Sequence, residues 1–138
     1  MRRRLILLAL AVATALVLAA NAIAATAPIV SPVADPYYHD NFSGAKGFGQ
    51  VKPREIFYGG DPTGLVCRIR WVSWGGPIAR GFGTGLYVNS HQSVAQGHLA
   101  VAIVVASKLG TWKGRPAYDK LTWSFPNHGS QRLRTGCS

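Results

Sequence analysis

From residue 54 to residue 125, apolar and polar side chains alternate with a period near two, and Gly- and Pro-containing stretches interrupt the alternation at strand-length intervals. The pattern predicts five consecutive strands. Residues 54–58 form a short first strand, ended by Gly59-Gly60-Asp61-Pro62-Thr63-Gly64, whose composition supplies tight turns and positive φ. Residues 65–74 give the clearest alternation. Leu65, Cys67, Ile69 and Trp71 fall on one side, the expected core, and Val66, Arg68, Arg70, Val72 and Trp74 on the other. Gly75-Gly76-Pro77 turns the chain into residues 78–88, where Ile78, Phe82, Leu86 and Val88 alternate with Ala79, Gly81, Gly83, Gly85 and Tyr87. Three glycines on one side leave a bare strip of backbone that an indole, from Trp71 or Trp74, is expected to cover, and they permit the bend a closed sheet needs.

Residues 89–97 are polar and read as a surface loop. Residues 99–109 are almost wholly apolar, as in a central strand covered on both sides. Alanines at 100, 102 and 106 favour a short helix instead, but Val101, Ile103, Val104 and Val105 argue for extended chain. Residues 118–125 alternate again, with Leu121, Trp123 and Phe125 inward and Tyr118, Lys120, Thr122 and Ser124 outward. A basic, polar tail, residues 130–138, follows. With no credible amphipathic helix, the predicted class is all-β: an antiparallel sandwich or small barrel of about five or more strands.

The N-terminus is of another kind. Arg2-Arg3-Arg4, the apolar run 5–20 and Ala22-Ile23-Ala24 have the three parts of a secretory signal peptide over residues 1–24, with cleavage before Ala25. Ala20-Asn21-Ala22 offers a second cleavage point. A retained anchor is the rival reading, but the run is short for a span and no basic residues follow it. Residues 25–52 hold Pro28, Pro32, Pro36, Gly44, Gly47 and Gly49 with little periodicity, and read as an extended arm whose Tyr37-Tyr38 pair docks on the body. Residues 53–138 form the β-domain. The expected location is secreted, extracellular or attached to the cell envelope, with no transmembrane segment after cleavage.

Composition sharpens this picture at two points. The 138 residues include 15 Lys+Arg and 5 Asp+Glu, and losing Arg2 to Arg4 leaves 12 basic side chains and a formal charge of +7. An exported cation of one-domain size meets anionic envelope polymers, glycans, lipid headgroups or extracellular nucleic acid. The binding candidates are Arg68, Arg70 and Trp74, at alternate positions on one strand face, with Lys108, Lys113, Arg115, Lys120, Arg132 and Arg134 widening the basic surface. The rival is a solvated face whose arginine stems cover Trp74. The second point is the cysteines: two in an exported chain read as a disulfide, Cys67 to Cys137. Closing a loop of that length stabilises by roughly 4 kcal/mol in the chain-entropy account.

Catalytic chemistry is poorly supplied. Asp35, Asp40, Glu55, Asp61 and Asp119 are the carboxylates. Glu55, His91, His98 and an arginine are a set that a small metal-independent ribonuclease could use, but its usual helical layer is missing from the pattern. Ser90-His91 and Ser93-His98 lack a G-x-S-x-G context, Gly81-Phe82-Gly83-Thr84-Gly85 is not a phosphate loop, and no metal-ligand spacing links Cys67, Cys137, His39, His91, His98 and His128. Asn41-Phe42-Ser43 matches a glycosylation sequon. No cofactor or metal is implied. The reading is a secreted basic non-enzymatic β-domain that binds an anionic envelope or extracellular polymer, or a protein partner. The alternatives are a small secreted hydrolase such as a nuclease, and a protein-binding inhibitor presenting loop 89–97.

Pro53-Arg54-Glu55-Ile56, Ile69-Arg70-Trp71-Val72-Ser73-Trp74-Gly75-Gly76, the 81–85 glycine motif, Gly114-Arg115-Pro116-Ala117-Tyr118 and Trp123-Ser124-Phe125-Pro126 together resemble a group of small exported actinobacterial proteins of uncharacterised function. The similarity covers about residues 51–138. It implies secretion and a one-disulfide β-domain, and it brings no catalytic residues.

Overall fold

The computed structural model describes residues 27–37 and 44–137. Residues 1–24, read as a signal peptide, with Tyr38, His39, Asp40 and the Asn41-Phe42-Ser43 sequon, lie outside the described residues. The chain is all-β: β1 (Ile29–Val30), β2 (Ile56–Phe57), β3 (Leu65–Ser73), β4 (Ala79–Tyr87), β5 (His98–Trp112) and β6 (Arg115–Ser124). They form a six-stranded sheet in the order β1-β6-β5-β4-β3-β2, curled into a half-barrel. Every pairing is antiparallel except that of β1, which runs parallel to β6. No helix among the described residues is long and apolar enough to cross a membrane.

The curl follows from where bulk is placed. Gly81, Gly83 and Gly85 of β4 do form a bare strip on the inner face. A Cβ at Gly81 would sit 3.2 Å from Trp71 Cε3, one at Gly83 would sit 2.6 Å from Val66 Cγ1 and 2.8 Å from the Cys67 carbonyl, and one at Gly85 would sit 3.1 Å from Phe125 Cζ. The expected indole covers one glycine, while Val66, Ile69 and Phe125 cover the others. Next to this strip, β5 turns Ala100, Ala102, Val104 and Ala106 inward, all fully buried. Small residues line the two central strands, and the large rings of Trp71, Trp74, Tyr118, Trp123 and Phe125 lean in from the flanks. Val101, Ile103 and Val105 face outward and are only half-buried, so β5 is not covered on both sides. An unbroken apolar run does not reveal which of its faces carries the smaller side chains.

Two breaks in alternation re-aim residues that strict period two misplaces. Arg68 has φ +54° and lies between the Cys67–Thr84 and Arg70–Phe82 pairs, a bulge that adds one residue to β3. Val66 and Ile69 consequently enter the core, and Cys67, expected inward, sits on the outer face opposite Thr84. A second register shift between Trp71 and Ser73 precedes Trp74, whose ring lies in the core, edge-on to Trp71 and Tyr118 at 4.6 and 5.2 Å. Its indole N–H donates to the Pro28 carbonyl at 3.0 Å. Tyr118, expected outward, is fully buried. Lys108, at φ +56°, stands between the Ser107–Lys120 and Leu109–Tyr118 pairs, where the strand changes face. The Tyr118 hydroxyl is then satisfied by donating to the Gly76 carbonyl (2.7 Å) and accepting from the Gly75 N–H (2.9 Å).

The described parts of the segment read as an arm belong to the body. Ile29, Val30 and Ser31 are fully buried. The Val30 N–H donates to the Gln50 carbonyl at 2.9 Å, the Gly49 N–H to the Val30 carbonyl at 2.7 Å, and Lys46 and Phe57 exchange both backbone bonds. Residues 46–50 thus bridge β1 to β2, and hydrogen-bonded neighbours run in a full circuit around the half-barrel. Two-residue pairings leave no periodic trace, which is why the sequence reads as an arm. Across the interior, the Tyr58 hydroxyl donates to the Leu121 carbonyl at 3.0 Å and joins the β2 side to β6. The disulfide Cys67–Cys137 is formed, with Cα atoms 5.6 Å apart. It fastens the tail, which bridges to Ala100 through Arg132, donates from the Leu133 N–H to the Leu99 carbonyl at 2.8 Å, and helps cover Thr84.

Gly83→Ala is expected to destabilise the fold by about 1–3 kcal/mol because backbone and Val66 must both shift, while Gly76→Ala, with its nearest neighbour at 4.0 Å, is expected to be neutral. Denaturant melts of the two variants check this, and equal midpoints would contradict it. A second expectation concerns alkali. Burial, with a smaller contribution from the Asp35 carboxylate, pushes the Tyr58 phenol up from 10.0 to about 12. The unfolded chain therefore loses this proton first, and stability present below about pH 10 falls as the pH climbs towards 12. Tyr58→Phe is expected to flatten that decline; an equally steep loss in the variant would contradict the assignment.

Candidate binding face

The outer face of the half-barrel is built by cross-strand registration. Directly paired residues in an antiparallel sheet project to the same side, with Cβ atoms about 5 Å apart. Arg70 on β3, Phe82 on β4, Ile103 on β5 and Ser124 on β6 therefore form one row across four strands. The neighbouring row is Ser73, Arg80, Val105 and Thr122, and beyond it Ser107 pairs with Lys120. Phe82 is 48% exposed, unusually open for a phenyl in a central strand. Arg70, Arg80 and Lys120 are exposed around it, and Val72, at the second irregularity of β3, and Ile78 add apolar surface at one end.

Phe82 reaches this face because its neighbours Gly81 and Gly83 are on the other. The same glycine strip that admits Val66 and Trp71 to the interior sends the phenyl outward. The bulge at Arg68 sets Arg70 opposite it. Were β3 regular, Arg68 would pair two positions from Arg70 on the same face; instead its side chain is tied to the tail, donating from Nη1 to Thr135 Oγ1 at 2.9 Å. Of the three residues the sequence singles out, Arg68 and Arg70 are at the surface and Trp74 is not with them. Phe82 takes the aromatic place, and Arg80 and Ile103 complete the group. The glycines flanking Phe82 carried the signal for its exposure.

The rows of this face hold cations and no carboxylate, and Asp119, next to Lys120 on β6, forms no ion pair within the described residues. Among the described residues one ion pair forms, Lys46 to Glu55 at 2.9 Å, at a distance in sequence from these rows. Asp61 is held by its own turn and Asp35 is buried near the N-terminus. The side chains of Arg70, Arg80 and Lys120 make no hydrogen bond or ion pair within the described residues, so their charge is available to a ligand.

The groups considered for catalysis are engaged separately. Glu55 is occupied by Lys46, His98 Nε2 lies 2.7 Å from the Gly129 carbonyl, and His91 sits in an exposed turn where its backbone N–H donates to Asn89 Oδ1. No group of three metal-ligating side chains occurs among the described residues. Loop 89–97 is exposed and braced internally, the Ser93 N–H donating to Gln96 Oε1 at 2.8 Å. No protein-family model, curated protein or solved structure matches this chain.

A face free of structural duty should tolerate substitution. Arg70→Ala, Arg80→Ala and Phe82→Ser are each expected to change stability by less than about 0.5 kcal/mol, whereas Trp74→Ala is expected to cost about 3 kcal/mol. Chemical denaturation distinguishes the two classes; a large loss in the Phe82 variant would show that the phenyl packs rather than waits.

Proposed function

We propose that the protein is an exported, non-enzymatic binding domain whose outer sheet face holds an acidic polysaccharide of the cell envelope or its surroundings. The observation that carries this reading is the Arg70–Phe82–Ile103 row with Arg80 diagonal to Arg70 and no carboxylate among the residues of these rows. Guanidinium groups present a planar fork that takes carboxylate or sulfate oxygens two at a time. An exposed phenyl offers a flat apolar surface to the C–H face of a sugar ring, and the net positive charge raises the local concentration of a polyanion before contact. Secretion, which the N-terminal pattern and the resemblance to small exported proteins imply, supplies the setting. The disulfide is compatible with it.

Residues 25–138 titrated with a polyuronate are expected to bind at low salt and to weaken as salt rises, because exposed charges are screened within about 10 Å at 0.1 M. The Arg70→Ala/Arg80→Ala double variant is expected to lose at least about tenfold in affinity. Absence of binding at low salt, unchanged affinity in the double variant, or tighter binding of a single-stranded oligonucleotide would each overturn the proposal.

A further inference from the structure

On the inner side of the molecule, at the mouth of the half-barrel, a cleft of about 440 Å³ opens between the turn after β2 and the end of β6. Its volume falls in the range of small-molecule sites. Tyr37, Tyr58 and Trp123 supply aromatic walls, Gly59 and Gly60 bring bare backbone to the edge, and Asp61 supplies a carboxylate. Among the described residues no basic side chain lines it, in contrast to the outer face.

Each group has a defined state. Asp61 Oδ1 caps the turn Pro62–Gly64, accepting from the Thr63 N–H at 2.7 Å and from the Thr63 hydroxyl. Those bonds hold its carboxyl below the usual carboxylate range and therefore ionised, and Oδ2 takes no bond within the described residues. Gly59 and Gly60 adopt φ of +91° and +78°, the conformation that lifts Asp61 to the rim. Tyr58 lies between two rings, Phe48 at 5.9 Å and Trp123 at 4.7 Å, both near parallel to it. Both of its faces are covered, so it offers the cleft an edge, and its hydroxyl is spent on the Leu121 carbonyl. The indole N–H groups of Trp71 and Trp74 are bound to backbone carbonyls, whereas that of Trp123 makes no bond within the described residues.

Flat apolar surface beside a hydrogen-bond acceptor and a spare N–H donor suits a ring that is apolar on its faces and hydroxylated around its rim. We infer that this cleft is a second binding site, for a neutral sugar ring, separate from the outer arginine face. An anionic ligand is disfavoured by Asp61 and by the nearby Asp35. A quaternary ammonium needs several exposed aromatic faces around it, and the central ring here presents its positive edge. A pyranose needs one stacking platform, which the Trp123 wall of the cleft provides, and hydroxyl acceptors, which Asp61 and the glycine backbone provide.

The test uses residues 25–138 and short neutral oligosaccharides of glucose, mannose, galactose and N-acetylglucosamine at up to about 10 mM, followed by the Trp123 indole N–H resonance. At least one sugar is expected to shift that resonance saturably. Asp61→Asn, which keeps an oxygen to cap the turn but removes the charge, and Tyr37→Ala, at a half-exposed ring, are each expected to weaken binding about tenfold. The Arg70→Ala/Arg80→Ala variant is expected to bind the sugar as the parent does, and Asp61→Asn to bind polyuronate as the parent does. The inference is overturned if no neutral sugar moves the resonance, if tetramethylammonium moves it instead, if both single variants bind unchanged, or if loss of the arginines abolishes sugar binding.

Discussion

A curled sheet has two edges whose backbone N–H and C=O groups must find partners, and in this molecule the whole architecture depends on how they are joined. The two terminal strands are only two residues long. What unites them is residues 46–50, which bond to Val30 on one side and to Phe57 on the other. Closure of this kind leaves few free edges for unwanted pairing and encloses an interior without a covering helix. Side chains reinforce it across long stretches of sequence: Tyr58 to the Leu121 carbonyl, Trp74 to the Pro28 carbonyl, Trp71 to the Pro53 carbonyl and Tyr118 to the 75–76 turn. Each is an aromatic residue whose ring packs in or against the core while its polar end binds a backbone group distant in sequence.

The division of bulk inside explains what is left outside. Glycines on β4 and alanines on β5 make room for rings arriving from the flanks, so three of the four tryptophans, Trp71, Trp74 and Trp123, pack against the core. The outer face keeps residues for which the interior has no space or partner, among them Phe82, Arg70 and Arg80. Charge separates along the same line. Cations without carboxylate partners lie on the outer rows, whereas the inner cleft carries Asp61. The two proposed sites differ in ligand because the fold sorts their side chains by face.

Much of this was legible in the sequence, and the limits have physical causes. Alternation located β2 to β6 to within a few residues, the glycine row announced a stripped inner face, and an even cysteine count behind an N-terminus patterned like an export signal indicated the Cys67–Cys137 bridge. Phase was harder. Arg68 and Lys108 adopt positive φ without being glycine, a choice that leaves no compositional mark, and strict alternation breaks at each. The bulge at Arg68 places Cys67 outward, the separate register shift after Trp71 brings Trp74 inward, and Tyr118, opposite Leu109 just past Lys108, is buried. The burial of Val30 was equally silent, since a two-residue parallel pairing has no period to detect. The cleft at Asp61 required knowing that the turn after β2 folds back over Trp123, a contact between residues some 60 positions apart, of the same order as the 63 between Tyr58 and Leu121.

The disulfide acts on a different part of the problem. It lies on the outer face and ties the tail across β3 and β4, so it secures the last residues rather than the interior. The interior stands on the circuit of backbone bonds. The measurement that bears on this most directly is amide hydrogen exchange at Val30, Lys46, Gly49 and Phe57. The account expects these four to exchange as slowly as the amides of β4 and β5, opening only with global unfolding. Exchange at open-chain rates while β4 and β5 stay protected would mean that the N-terminal segment is laid against an incomplete barrel rather than closing it.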